Sequence, residues 1–168
     1  MNIILIFLIA LLAIVIFLFF LVTLKEIIIR REIKKKKEIE ESEIYKEKLK
    51  EIFQKNKDKK KIIEEIDSLA KEFFKKFQII EVKDDYYLLG EMFKEANNPE
   101  GQRFCELMLK AYYAPERIVS RNLKEIKEKF EKIITDNTER IIQKHKEEEN
   151  KILMKIIYKT QSKEYNNL

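Results

Sequence analysis

The stretch IILIFLIALLAIVIFLFFLVTLKEIIIRREIKKKK, residues 3–37, decides the architecture. From Ile3 to Val22 every residue is Ile, Leu, Phe, Val or Ala, and no charged side chain occurs before Lys25. Twenty residues at a helical rise of about 1.5 Å reach roughly 30 Å, the thickness of a bilayer's hydrocarbon core. On the insertion scale the Leu, Ile, Phe and Val side chains together favour the membrane by roughly 5 to 11 kcal/mol. The segment has no polar face, and the rest of the chain is too short to wrap it as a core helix. A cleaved signal peptide has a shorter apolar region, roughly 7 to 15 residues, behind a basic start, and nothing basic precedes Ile3. Residues 1–24 are therefore expected to form a single transmembrane anchor. The span contains no Gly-x-x-x-Gly, so the tight helix-dimer motif is absent.

The basic side chains Lys25, Arg30, Arg31, Lys34, Lys35, Lys36 and Lys37 follow at once. Basic residues beside a span stay on the cytoplasmic side. The expectation is an N-terminus outside, a body in the cytoplasm at the cell membrane, and a collar lying on anionic headgroups. Charge is unevenly placed along the remainder: residues 25–61 hold 15 basic and 9 acidic side chains, residues 62–168 hold 20 and 21. The net charge of +5 thus belongs to the membrane-proximal third. This favours lipid headgroups over a body that grips nucleic acid. Cys105 is the only cysteine, so no intrachain disulfide forms, and two Gly with two Pro do not suit a turn-rich β fold.

An all-α class follows: the transmembrane helix, a charged helical stalk, a small four-helix cytoplasmic bundle and a C-terminal amphipathic helix. Residues 25–57 read as the basic juxtamembrane stalk, solvated through its middle, with a short stripe at Tyr45, Leu49, Ile52 and Phe53. No three clean heptads occur, so a sustained coiled coil is not supported. Asn56-Lys57-Asp58 marks a break, and residues 58–137 read as the bundle. Its best stripe is Ile62, Ile63, Ile66, Leu69, Ala70, Phe73, Phe74 and Phe77, at helical steps of three and four. Ile79 to Val82 form an extended connection, after which Asp84 or Asp85 caps a helix with Leu88, Leu89, Met92, Phe93 and Ala96. Asn97-Asn98-Pro99 turns the chain into a helix presenting Phe104, Cys105, Met108, Ala111 and Tyr112, stopped by Ala114-Pro115. Ser120 is expected to cap the fourth helix, with Leu123, Ile126, Phe130, Ile133 and Ile134 on its apolar face. Residues 138–168 read as a C-terminal helix with Ile141, Ile142, Ile152, Leu153, Ile156 and Ile157, and a frayed tail from Gln161. Asp136-Asn137-Thr138-Glu139 either restarts that helix or lies inside one long helix.

Catalytic chemistry is poorly served. His145 is the only histidine. With Glu148 or Glu149 it has helical ligand spacing, but a zinc or di-iron site needs more ligands, so it reads as part of a solvated helix face. Cys105 falls on an apolar stripe and reads as a packed thiol. Gly90 and Gly101 stand alone, without a phosphate loop. No catalytic residue, metal site, cofactor or small-molecule substrate is expected.

The pairs Tyr86-Tyr87 and Tyr112-Tyr113 are the candidates for recognition. Helical neighbours point about 100° apart, so one ring of each pair can join the core while the other meets solvent as a partner anchor. The two helices form an antiparallel hairpin that places both pairs at the same end.

Leu69-Ala70, Phe73-Phe74, Phe77, Ile79, Leu89, Phe104-Cys105, Met108, Tyr112-Tyr113, Leu123, Phe130 and Ile133-Ile134 carry a resemblance. Over residues 62–134 the chain resembles a helical segment of uncharacterised archaeal single-pass membrane proteins. The resemblance implies a small cytoplasmic helical domain on an anchor and brings no catalytic residue with it. The expected function is a non-enzymatic, membrane-anchored protein-interaction or scaffolding module with a protein partner. The alternatives are a structural stalk subunit of a membrane complex and a membrane tether for nucleic acid.

Overall fold

A computed structural model describes the backbone over residues 3–56, 58–113 and 116–165, and side chains over 7–56, 58–113, 122–152 and 154–155. The described residues are helical apart from short connections, with no strand among them. Five helices follow in order: α1 Ile3–Lys55, α2 Lys59–Lys76, α3 Tyr86–Glu95, α4 Pro99–Tyr113 and α5 Glu116–Tyr165. The chain divides into two units, Met1–Glu38 and Ile39–Leu168.

The first unit is the apolar and basic part of α1. From Phe7 onward this helix is long and apolar enough to cross a membrane, and none of its apolar window is buried. Phe7, Phe17 and Phe19 turn 60–71% of their surface outward.

The second unit holds the core. Asp58 opens α2, its carboxylate accepting the Lys60 N–H at 3.0 Å. The α2 stripe then buries Ile62, Ile63, Ile66, Leu69, Ala70, Phe73 and Phe74, with Phe77 partly buried at the helix end. Phe73 is an aromatic hub: its ring lies 5.1 Å from Tyr45, 4.9 Å from Phe77 and 5.8 Å from Phe130. The last turns of α1 join this core through Tyr45, Leu49 and Ile52, all buried. The short stripe expected at the end of residues 25–57 is thus packed on this core, with Phe53 partly buried, while Ile27, Ile28, Ile29 and Ile33 are exposed. From α5, Leu123, Ile126, Phe130, Ile133 and Ile134 complete the cluster.

One local expectation is revised, and one open alternative is settled in favour of a single long helix. The helix expected to start at Ser120 starts at Glu116. Ser120 therefore lies one turn inside the helix, where the backbone N–H groups a cap would satisfy are no longer the first of the helix. Residues 136–139 lie inside α5, which continues through to Tyr165. The break expected at 56–58 is present at Asn56 and Asp58, and Lys57 lies outside the described residues. The Ala114-Pro115 stop, the tail beyond Tyr165 and the side chains of Ser120, Leu153, Ile156 and Ile157 also lie outside them.

Candidate functional site

Each candidate residue takes its place from local helix chemistry. Asp85 is the N-cap of α3: with extended backbone (φ −92, ψ 116) its carboxylate accepts the Tyr87 N–H at 2.8 Å. This fixes Tyr86 as the first helical residue. At the other end of α3 the chain reverses through Asn97, whose φ of 56 is left-handed, a conformation asparagine tolerates. Asn98 then accepts the Gly101 N–H at 2.9 Å and starts α4. The reversal is tight enough to bring the start of α3 back beside the end of α4.

The tyrosine pairs meet there. The Tyr86 and Tyr112 rings are 6.3 Å apart. Tyr86 is buried, whereas Tyr87, Tyr112 and Tyr113 expose 62%, 44% and 87% of their surfaces. Tyr86, Tyr112 and Tyr113, with Leu109, form the aromatic side of an open groove of ≈ 440 Å³. Tyr87 is on the outer face of α3 beside exposed Leu88 and does not line it.

The other side of the groove is polar: Asp67 and Lys71 from α2, and Asp84 and Asp85 ahead of α3. The Tyr86 hydroxyl donates to Asp67 Oδ1 at 2.7 Å. Burial, with the Asp67 charge beside it, raises the Tyr86 phenol far above its ordinary value, so it remains a donor. Burial and Asp67 likewise push the Tyr112 phenol up to about 12. Lys71 Nζ lies 3.1 Å from Asp67 and 3.6 Å from Asp84, and 5.7 Å from the centre of the Tyr86 ring. Ring face and carboxylates thus hold one ammonium together. The acidic side could not be found from spacing, because Asp67 and Asp84 are far apart in the chain. The Asp67–Lys71 pair, four residues apart on α2, was the one part readable in advance.

The collar lies in the first unit. Lys25, Arg30, Arg31, Lys34, Lys36 and Lys37 are exposed and Lys35 is partly so. Arg30 pairs with Glu26 at 2.5 Å and Lys34 with Glu38 at 3.8 Å, one helical turn apart in each case.

Two residues weighed for chemistry are packed. Cys105 is buried, and burial, then the charge of Glu106, pushes its thiol up to about 12, far from a reactive thiolate. His145 is buried, not on a solvated face. It lies on the same side of α5 as buried Thr138 and half-buried Ile141 and Ile142, so the apolar stripe carries it inward. Among the described residues no group of three or more His, Cys, Asp and Glu is placed to hold a metal. Comparison with family models, with curated proteins and with solved structures gives no match.

Proposed function

We propose that the chain is a membrane-anchored helical interaction module, without chemistry of its own, that offers the tyrosine groove to a protein partner at the cytoplasmic face. One observation carries this reading. Among the described residues of 39–168, the exposed large apolar side chains are Ile44, Tyr87, Leu88, Tyr112, Tyr113 and Met154, and four of the six belong to the joined ends of α3 and α4. Exposed aromatic surface beside a concavity is a common anchor for a partner. The apolar length of α1 supports the anchor, and the basic residues that follow it support a cytoplasmic body. The bundle is proposed to act as a rigid mount for the groove.

The test has two arms. A reporter fused after Leu168 should be active in the cytoplasm, and activity only outside would reverse the orientation. A photocrosslinking residue at position 113 should capture a protein neighbour in native membranes, and Tyr112→Ser with Tyr113→Ser should stay folded and lose that neighbour. Retention of the neighbour would move recognition elsewhere.

A structural stalk role is the second reading. The lengths of α1, 53 residues, and α5, 50 residues, favour it. Under that reading the groove variants keep every association, and helix-breaking insertions in the exposed part of α5 abolish them.

A further inference from the structure

Averaged over residues 62–168 the charge is nearly zero, yet the groove is not neutral. Its lining brings three carboxylates, Asp67, Asp84 and Asp85, to one ammonium, Lys71. Glu64 adds a further negative charge within reach of the Tyr112 phenol. Lys71 is engaged chiefly by Asp67. Asp84 is fully exposed and meets Lys71 at the longer distance of 3.6 Å. Asp85 uses Oδ1 on the α3 cap. Acidic oxygen therefore faces solvent next to two outward rings, Tyr112 and Tyr113.

The chain already shows what such a lining holds. The Lys71 ammonium sits within 6 Å of a tyrosine face and between two aspartates. The half of the groove away from Lys71 offers the same ingredients, Asp84 and Asp85 with Tyr112 and Tyr113. An arginine suits it better than a lysine. The guanidinium is planar, stacks on aromatic faces, is weakly hydrated and meets carboxylates through two parallel donors. We propose that the groove binds a basic segment of a partner protein, with an arginine laid against Tyr112 and Tyr113 and its guanidinium held by Asp84 and Asp85. This rests on the groove being the partner site.

The experiment uses the full chain in nanodiscs of zwitterionic lipid. Two short fluorescent peptides are compared by anisotropy: one alternating Arg and Ser, the other with neutral citrulline in place of each Arg. The Arg peptide should bind at least about tenfold more tightly, the worth of one charge-assisted hydrogen bond, and its advantage should shrink as salt rises. Asp84→Asn with Asp85→Asn should remove that advantage while leaving helix content unchanged, since asparagine also caps. Glu148→Gln with Glu149→Gln, on an exposed stretch of α5, should leave it intact. Equal binding of the two peptides, or an Arg preference that survives loss of Asp84 and Asp85, overturns the proposal. The crosslink from position 113 separates the two failures. A captured neighbour with no Arg preference keeps the groove as the partner site and removes only the cation. No neighbour and no preference remove both.

Discussion

Phe93 lies flat over Gly101, so close that a Cβ at position 101 would fall 2.3 Å from its ring. Phe93 is 1% exposed and backed by Phe74 at 5.3 Å between ring centres, so it has nowhere to swing. Gly101→Ala should therefore destabilise the body by about 1 to 3 kcal/mol through overpacking, outweighing the roughly 1 kcal/mol that alanine gains over glycine in a helix. Gly90 is the internal control. A Cβ there meets the Cys105 Cβ at 3.3 Å, tight but well short of the clash at Gly101, so Gly90→Ala should cost clearly less than Gly101→Ala, the strain being offset by alanine's helix preference. Thermal melts of both variants in detergent check the order, and a Gly101→Ala protein as stable as its parent would mean the α3–α4 contact is looser than described.

The aromatic hub makes a second expectation. Phe73 touches Tyr45, Phe74, Phe77 and Phe130, and truncating such a ring to alanine costs about 3 to 5 kcal/mol. Tyr45→Phe removes only the hydroxyl bonded to Glu72 at 2.7 Å and should cost about 1 kcal/mol. Tyr45→Ala should approach the Phe73→Ala loss, because the Tyr45 ring packs on both Phe73 and Phe77. Urea midpoints followed by circular dichroism would rank the three. A harmless Tyr45→Ala would detach the end of α1 from the core.

Acid should loosen the α4–α5 seam. Glu100 accepts from Lys132 at 2.6 Å and Lys129 at 2.9 Å, and these bonds hold its carboxyl below the ordinary value of 4.5. Because the folded value is the lower one, the stabilisation is complete above 4.5 and is lost as pH falls through the depressed folded value. Glu100→Gln should therefore lower stability at neutral pH and match the parent in strong acid. Denaturant titrations at neutral and acid pH measure the gap, and a gap independent of pH would assign the loss to packing.

The collar should be shielded by anionic lipid. Each Lys or Arg near such a surface is worth about 1 kcal/mol at low salt. Trypsin cleavage between Arg30 and Lys37 should slow when the bilayer contains anionic lipid and recover at high salt. Cleavage indifferent to lipid charge would leave these side chains as mere solvation of the helix.

Much of the fold was legible because it is written in local periods. The α2 stripe, the break before α2, a cap at Asp84 or Asp85 and the turn at Asn97-Asn98 all depend on residues within one or two helical turns. The apolar run of α1 is legible for the same reason. What depends on distant partners was not. Thr138 donates to Ser42 Oγ at 3.0 Å across 96 positions of sequence, and both are buried although neither carries an apolar signal. His145 follows the same rule: its side of α5 is set by what packs on it, not by its own polarity. At the candidate site the sequence pointed to the tyrosine pairs but reduced Asp84 and Asp85 to caps and solvent. Their common ground with Asp67 appears only when α2 and α3 are placed side by side.

The same tyrosines give the protein an optical property. The chain has seven tyrosines and no tryptophan, so its near-ultraviolet emission is tyrosine emission. Three of the seven, Tyr86, Tyr112 and Tyr113, look into a single groove. Anything that settles there changes the surroundings of a large share of the emitters at once, and the unlabelled protein becomes its own indicator of occupancy.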